Sequence, residues 1–328
     1  ELQPQCAAPG ACHMSRYRIA VNLELTSKCN ARCVMCPREA IPEQRQMTPA
    51  ILDAVLARLK PEDVFRVVLA GYGEPTTHPR FDEFVPRLTD HPVQFDMVSN
   101  GQLLDERRLR LLDGAIGTLI ISFSSIVPAV YDAVHVNLDQ VRVMENIALA
   151  QRTLRQTTLA ISLTPLSECL DTLPETIAWL RGNGVGNLTM SPTLYDRAGT
   201  LNGDRADGQG SSHRDLRAVI RQYGLHSQEM DFVPSLRDVL AQHLANRFKC
   251  TPRNIDVLIS AQGQYMYCFN DIGHRRPLAS VHDLSLRQAI ALREETGADP
   301  EICGDCNIQS RYGIAELAGA AIAYLRPH

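Results

Sequence analysis

The stretch Thr26-Ser-Lys-Cys29-Asn-Ala-Arg-Cys33-Val-Met-Cys36-Pro37, directly after the apolar run Ile19–Leu25, decides how the rest of the chain is read. Thiols at positions i, i+4 and i+7 would stripe one face of a helix as small core hydrophobes. Pro37 stops a helix from running on through them. In a loop, the same three side chains can converge on one soft metal centre, and short Cys spacings of this kind hold iron–sulfur clusters. No fourth Cys or His stands nearby in sequence, so a cubane here keeps one iron open to an outside ligand. An open position is the mark of a reactive centre. Zinc competes for such a site, but it usually takes a fourth protein ligand.

Outward from this loop, short apolar runs alternate with amphipathic helices as far as Pro192. The strand-like runs are Ile19–Leu25, Arg66–Ala70, Gln94–Ser99, Thr118–Phe123, Leu159–Thr164 and Asn187–Ser191. Helical patterns fall at Pro49–Leu59, Arg80–Leu88, Glu106–Leu112, Leu138–Leu154 and Leu173–Leu180. The strands are rich in Val, Ile and Leu with little alternation, as in strands buried on both faces. Serial βα units imply an α/β fold with a parallel sheet and right-handed crossovers. Periodicity leaves open whether that sheet closes. In either form the loops after the strands' C-terminal ends carry the chemistry.

The chain has 328 residues, room for roughly two domains, with 45% hydrophobic and 21% charged residues, as in a globular protein with a sizeable core. A net charge of −4 supplies no positive field for nucleic acid or an anionic membrane. No apolar run reaches the ~18 residues of a membrane helix, and no secretory signal opens the chain, so a cytoplasmic protein is expected. Ten cysteines are too unevenly spaced for a disulfide framework.

Four units are expected: a leader over residues 1–16, the βα core over 17–200, a linker over 201–231, and a smaller unit over 232–328. The linker holds the polar, glycine-rich stretch Ala198–Ser212, long for a structureless connection. The last unit reads as a helix near Ser235–Phe248, a hairpin over Asp256–Phe269 turning near Gly263, a helix near Leu284–Glu295 and a final helix after Tyr312.

Later strand ends add candidates. Gly71-Tyr-Gly73-Glu74-Pro75 closes the second run; its glycines allow close backbone approach and Glu74 offers a carboxylate, although such a sequence alone is often a turn. Ser99 and Asn100 end the third run, Ser122 and Ser124 the fourth, and Ser162 lies in the fifth; singly, such hydroxyls often only cap the next helix. Arg197, after the sixth run, suits a carboxylate or phosphate.

Taken together, Cys-x3-Cys-x2-Cys after the first strand and the βα units behind it resemble the radical S-adenosylmethionine (SAM) superfamily. The resemblance implies a partial (β/α)6 parallel barrel. It implies a [4Fe–4S] cluster on Cys29, Cys33 and Cys36, with SAM chelating the fourth iron and cleaved to methionine and a 5′-deoxyadenosyl radical. Family members usually carry an aromatic residue just before the third cysteine; here it is Met35, whose thioether can pack on a purine. Gly71, Gly73 and Glu74 are similar to the family's GGE-type motif, which binds the SAM amino group. Ser99, Asn100, Ser122, Ser124 and Ser162 stand where relatives contact the SAM carboxylate and ribose, and Arg197 is a further SAM or substrate contact. Many relatives have Asp where this chain has Ser124.

Cys250-x12-Gly263-x4-Cys268, followed by Cys303-Gly-Asp-Cys306, can gather four thiolates into a closed site, for which zinc is a rival. The element resembles the SPASM/twitch domains of radical SAM enzymes. Its short form implies one auxiliary [4Fe–4S] cluster on Cys250, Cys268, Cys303 and Cys306 in a small α+β unit. Cys6, Cys12 and Cys169 have no assigned role, Cys169 being read as a plain buried thiol.

The function implied is hydrogen abstraction from a small polar substrate (a sugar, nucleoside or aminocyclitol) in natural-product biosynthesis, as in a dehydrogenation. A flavodoxin or ferredoxin would donate electrons. Only some sixteen residues precede the first strand, too few for the leader-binding module common in peptide-modifying members. Redox-neutral decarboxylation, epimerisation or carbon–carbon coupling, a peptide-modifying enzyme, and a non-catalytic zinc scaffold are the alternatives.

Overall fold

Six parallel strands form where the apolar runs predict them, in a computed structural model that describes residues 17–38, 41, 43–192, 213–228, 231, 234–246, 248, 250–271, 273–304, 306 and 318–319. They are β1 Ile19–Leu23, β2 Val64–Leu69, β3 Phe95–Ser99, β4 Thr118–Phe123, β5 Thr158–Leu163 and β6 Leu188–Met190. Each pairs in parallel with the next. The leader, Arg197 with the glycine-rich stretch, and the final helix except 318–319 lie outside the described residues.

The helices between the strands start and stop for local reasons. Thr48 caps the helix Pro49–Arg58, accepting from the Ile51 N–H, and Pro49 sits at its first turn, where no N–H is needed. The single helix expected over Arg80–Leu88 is two short turns, Phe81–Phe84 and Pro86–Thr89, because Pro86 has no N–H to continue the first. Asp139 caps Gln140–Thr153, and a helix the sequence reading left out, Pro128–Val134, precedes it.

Four more strands extend the sheet. β7 His226–Ser227 pairs with β6 in parallel. β8 Asp256–Ile259 pairs in parallel with β1, from Ala20↔Asp256 to Leu23↔Ile259. β9 Gln264–Met266 and β10 Pro277–Ser280 follow antiparallel. The expected hairpin therefore continues the barrel sheet at its β1 edge instead of forming a sheet of its own. The stretch expected as linker also contains the helix His213–Tyr223, which buries Leu216 and Ile220, and β7. Its polar composition hid both. Among the described residues, no helix is long and apolar enough to cross a membrane.

The strands are buried on both faces as expected, β1 and β6 at every position, but the two faces differ in chemistry. One face, with Val21, Leu23, Val67, Leu69, Phe95, Met97, Leu119 and Ile161, joins the main core beneath the helices. Successive side chains point to opposite faces, so the other face carries Asn22, Glu24, Arg66, Asp96, Ser122, Ser162 and Thr189. Its centre is an ion pair, Arg66 Nε to Asp96 Oδ2 at 2.8 Å, and Asp96 Oδ1 also accepts from the Thr118 N–H at 2.7 Å. Asp96 is 1% exposed. Removing one partner of a buried pair strands the other charge, so Asp96→Ala should cost about 3 kcal/mol in urea unfolding. The control is Asp82→Ala, which breaks a more exposed pairing with Arg107 and Arg108 and should cost less than about 1 kcal/mol.

Candidate active site and cluster sites

The cysteine loop leaves the C-terminal end of β1 and is held by three neighbours. Its start is anchored by Ser27, whose N–H donates to the Arg45 carbonyl at 2.9 Å and whose hydroxyl accepts from the Arg45 N–H at 2.7 Å. Its middle runs against the segment after Pro128–Val134: Arg32 N–H donates to the Val136 carbonyl and Val34 N–H to the Val134 carbonyl, at 2.8 and 3.0 Å. Arg38 donates to the Cys29 and Ala31 carbonyls. Cys29, Cys33 and Cys36 are half-buried and in no disulfide; charge on Cys36 acts on both Cys29 and Cys33, and charge on Cys29 acts on Cys33.

Burial pushes the Cys29 thiol up to about 11 and the Cys33 thiol up to about 12. Thiols this reluctant to ionise are poor nucleophiles, whereas bound iron draws off their protons. Among the described residues, no three metal-binding side chains converge as a single ion requires. A cubane spreads its ligands over separate corners, farther apart than ligands ~2.3 Å from one zinc.

The Gly71–Glu74 loop, after β2, is welded to the start of the cysteine loop. Glu74 N–H donates to the Lys28 carbonyl at 2.8 Å. Gly71 lies so close to the Glu24 side chain, and Gly73 to the Thr26 and Lys28 carbonyls, that a Cβ on either would overlap them. Glu74 itself does not present a free carboxylate. Its Oε1 accepts from Thr76 N–H and Oγ1 and from Ser99 Oγ, and its Oε2 accepts from Asn100 N–H. Burial raises its pKa, and these four donors oppose the rise. Glu74 thus braces the β2 loop against the β3 end, taking up Ser99 and the Asn100 backbone; the Asn100 side chain donates to Asn30 Oδ1 at 2.7 Å.

The remaining candidates divide. Ser124 is buried, and its Oγ has no hydrogen-bond partner, an orphan in the row where SAM contacts are expected. Ser122 is half-buried beside it on β4. Ser162 Oγ accepts from Gln228 Nε2 at 2.7 Å, which ties β5 to β7. Met35 packs against the buried cluster of Val134, Leu166 and Cys169, as do Val34 and Val130.

The second cysteine set assembles around the β8–β9 hairpin. Charges on Cys303 and Cys306 act on Cys250, and those on Cys250 and Cys306 act on Cys268. Asn270 donates through its backbone N–H to Cys268 Sγ and through Nδ2 to Cys306 Sγ, both at 3.4 Å. The buried Arg253 guanidinium lies over the Tyr267 ring at 4.7 Å, and its Nε has no hydrogen-bond partner. Arg253 also pairs with Glu294, Nη1 to Oε1 at 3.6 Å, and its charge acts on Cys250; this cation and the two Asn270 donors around the thiols suit an anionic cluster. Tyr72 joins the two sites: its ring stacks on Phe269 at 5.4 Å, and its hydroxyl donates to the Phe269 carbonyl.

Two features had no sequence signal. Glu24, 1% exposed, accepts from the Tyr72 N–H through Oε2 and faces His274 Nε2 at 4.0 Å with Oε1. His135, 102 positions from Cys33, places Nδ1 3.2 Å from its sulfur. Burial holds His135 neutral, its pKa down to about 4.

Residues 23–180 match the Radical SAM superfamily description. A probable GTP 3′,8-cyclase of Thermococcus kodakarensis is 28% identical over 113 residues, covering 34% of this chain and 36% of that protein. The chain thus spans about a third of that relative's length. Among solved structures, Streptococcus suis SuiB bound to precursor peptide SuiA matches 90% of this chain and 70% of its own, with TM-score 0.67 and 14% identity. BtrN in complex with AdoMet and 2-DOIA matches 88% of this chain and 93% of its own, with TM-score 0.53 and 16% identity. Residues 23–180, just under half of the chain, thus carry a radical SAM domain, the domain of enzymes whose chemistry rests on a [4Fe–4S] cluster and SAM.

Proposed function

We propose that Cys29, Cys33 and Cys36 hold a [4Fe–4S] cluster with one open iron, and that the enzyme abstracts hydrogen from a small polar substrate such as a sugar, nucleoside or aminocyclitol. Cys250, Cys268, Cys303 and Cys306 hold a second cluster ligated wholly by protein. The observation that carries this reading is the docking of the Gly71–Glu74 loop on the loop of three clustered thiols at the ends of adjacent parallel strands.

When bound, the first cluster supplies an electron, delivered by a flavodoxin or ferredoxin, that cleaves SAM to methionine and a 5′-deoxyadenosyl radical. The chain's own residues bind and orient. Gly71 and Gly73 keep Cβ atoms out of the approach, and Glu74 holds the β2 and β3 loops in one arrangement. Ser124 Oγ is free to hydrogen-bond SAM. The polar sheet face, with Asn22, Glu24, Ser122 and Thr189, favours a substrate rich in hydroxyl groups. The auxiliary set lies across the Tyr72–Phe269 contact, where it can take an electron in a dehydrogenation or brace the site.

Metal analysis and product analysis test the reading together. Anaerobic reconstitution should load about eight irons and eight sulfides per chain, and SAM with a reductant should yield 5′-deoxyadenosine by mass spectrometry. One or two zincs in place of iron, or intact clusters without 5′-deoxyadenosine, would overturn it.

A further inference from the structure

We propose that His135 donates a hydrogen bond from Nδ1–H to the Cys33 sulfur and thereby raises the reduction potential of the SAM-binding cluster. The proposal rests on the reading of Cys33 as a cluster ligand. The contact itself is direct, with Nδ1 and Sγ 3.2 Å apart.

The fold leaves His135 little freedom. It ends the helix Pro128–Val134, its N–H donating to the Tyr131 carbonyl at 2.7 Å, and its ring packs against Tyr131 with centroids 4.9 Å apart. The residues on either side, Val134 and Val136, accept the N–H groups of Val34 and Arg32 through their carbonyls. These bonds clamp the backbone flanking His135 to the backbone flanking Cys33.

The tautomer follows from what each nitrogen meets. His135 is 1% exposed, and its Nε2 is buried without a partner. A proton on Nε2 would bury an unpaired donor, whereas a proton on Nδ1 points at the sulfur and leaves only a lone pair unmatched. Orphaned buried N–H groups are the rarer of the two defects. A neutral Cys33 thiol could donate to Nδ1 instead. A thiolate bonded to iron has no proton, so with the cluster in place Nδ1 is the donor.

A hydrogen bond to a ligand sulfur favours the more negative, reduced cluster, and it is stronger in a low-dielectric interior. His135 therefore acts through Cys33 as a positioning and tuning residue and need not touch SAM. In this superfamily the cluster must deliver an electron to SAM. A higher potential lets a biological reductant load the cluster more fully.

The test uses the reconstituted full chain in three forms: wild type, His135→Phe, which keeps a ring and removes the donor, and His135→Gln, which retains a donor. The cluster is identified by the change that added SAM makes in its reduced electron paramagnetic resonance signal, and its midpoint potential is read by titrating that signal. We expect all three to hold iron and respond to SAM, with the Phe form shifted to a more negative midpoint and the Gln form lying between. An unchanged midpoint in the Phe form, with iron and SAM response intact, would reduce His135 to packing and overturn the proposal. Loss of the SAM-responsive cluster from both folded variants would make His135 a ligand and also overturn it. A wild type with no SAM-responsive cluster would instead remove the reading beneath it.

Discussion

Cys36→Ala is expected to lose about four irons per chain and all formation of 5′-deoxyadenosine, while the protein stays folded. Cys36 closes the three-thiol set: its N–H donates to the Cys33 carbonyl at 3.0 Å and Pro37 follows it, which fixes the backbone that carries its sulfur. The side chain is half-buried at a loop, and its loss removes little packing. Two remaining thiols cannot hold three irons of a cubane. Cys169→Ala is the matched control. That thiol is 1% exposed, yet it packs among Leu166 and Val134 and belongs to neither set. Its replacement should lower stability modestly and leave iron content and product unchanged. Equal iron loss in both variants would show that the loop's thiols are not the ligands.

Gly73→Ala should produce the other large effect. A Cβ at Gly73 would stand 2.1 Å from the Thr26 carbonyl oxygen and 2.5 Å from that of Lys28. Both are backbone atoms in the loop that carries the first cysteine, so no flexible side chain can move aside. Relief requires the Gly71–Glu74 loop to lift away, breaking the Glu74 N–H bond to Lys28 and the bonds that Glu74 makes to Ser99 and Asn100. We expect a cost of ~3 kcal/mol or more, at the upper end for overpacking, with loss of SAM-dependent product. Gly182→Ala is the contrast, since nothing lies within 4 Å of a Cβ there and the residue ends a helix. It should gain up to about 1 kcal/mol. A Gly73→Ala protein with wild-type unfolding and product formation would mean that the loops are not locked as described.

Much of this architecture was legible before folding. The βα rhythm over residues 17–192 located β1 to β6, six of the eight strands that pair in parallel, because buried strands need apolar runs and their crossovers need amphipathic helices. The spacing of Cys29, Cys33 and Cys36 carried its chemistry in sequence order, since all three lie in one loop. Strands too short to show a pattern were missed. β7 has two residues, and a polar, glycine-rich segment precedes its helix. The Pro86 break was legible in principle, since proline has no N–H to give, and the apolar periodicity across it masked the interruption.

Glu74 shows the limit of reading a motif alone. Its place after β2 was visible, and the resemblance to the family's GGE-type motif implied a role at the SAM amino group. Folding surrounds that carboxylate with four donors from Thr76, Ser99 and Asn100. Two of these residues come from the next strand's end, and only the parallel pairing of β2 with β3 brings them there.

The amino-acid order alone thus determined the repeating βα units, the cysteine loop and the likeness to radical SAM enzymes, since each depends on neighbours within one segment. The tertiary structure decided what reaches across segments: the polar second face of the sheet, the docking of β8 on β1, the Tyr72–Phe269 bridge and the placing of His135 against Cys33. Such contacts join residues tens to hundreds of positions apart. They arise only when strand pairing and core packing together fix which side chains meet, and no local pattern records that outcome.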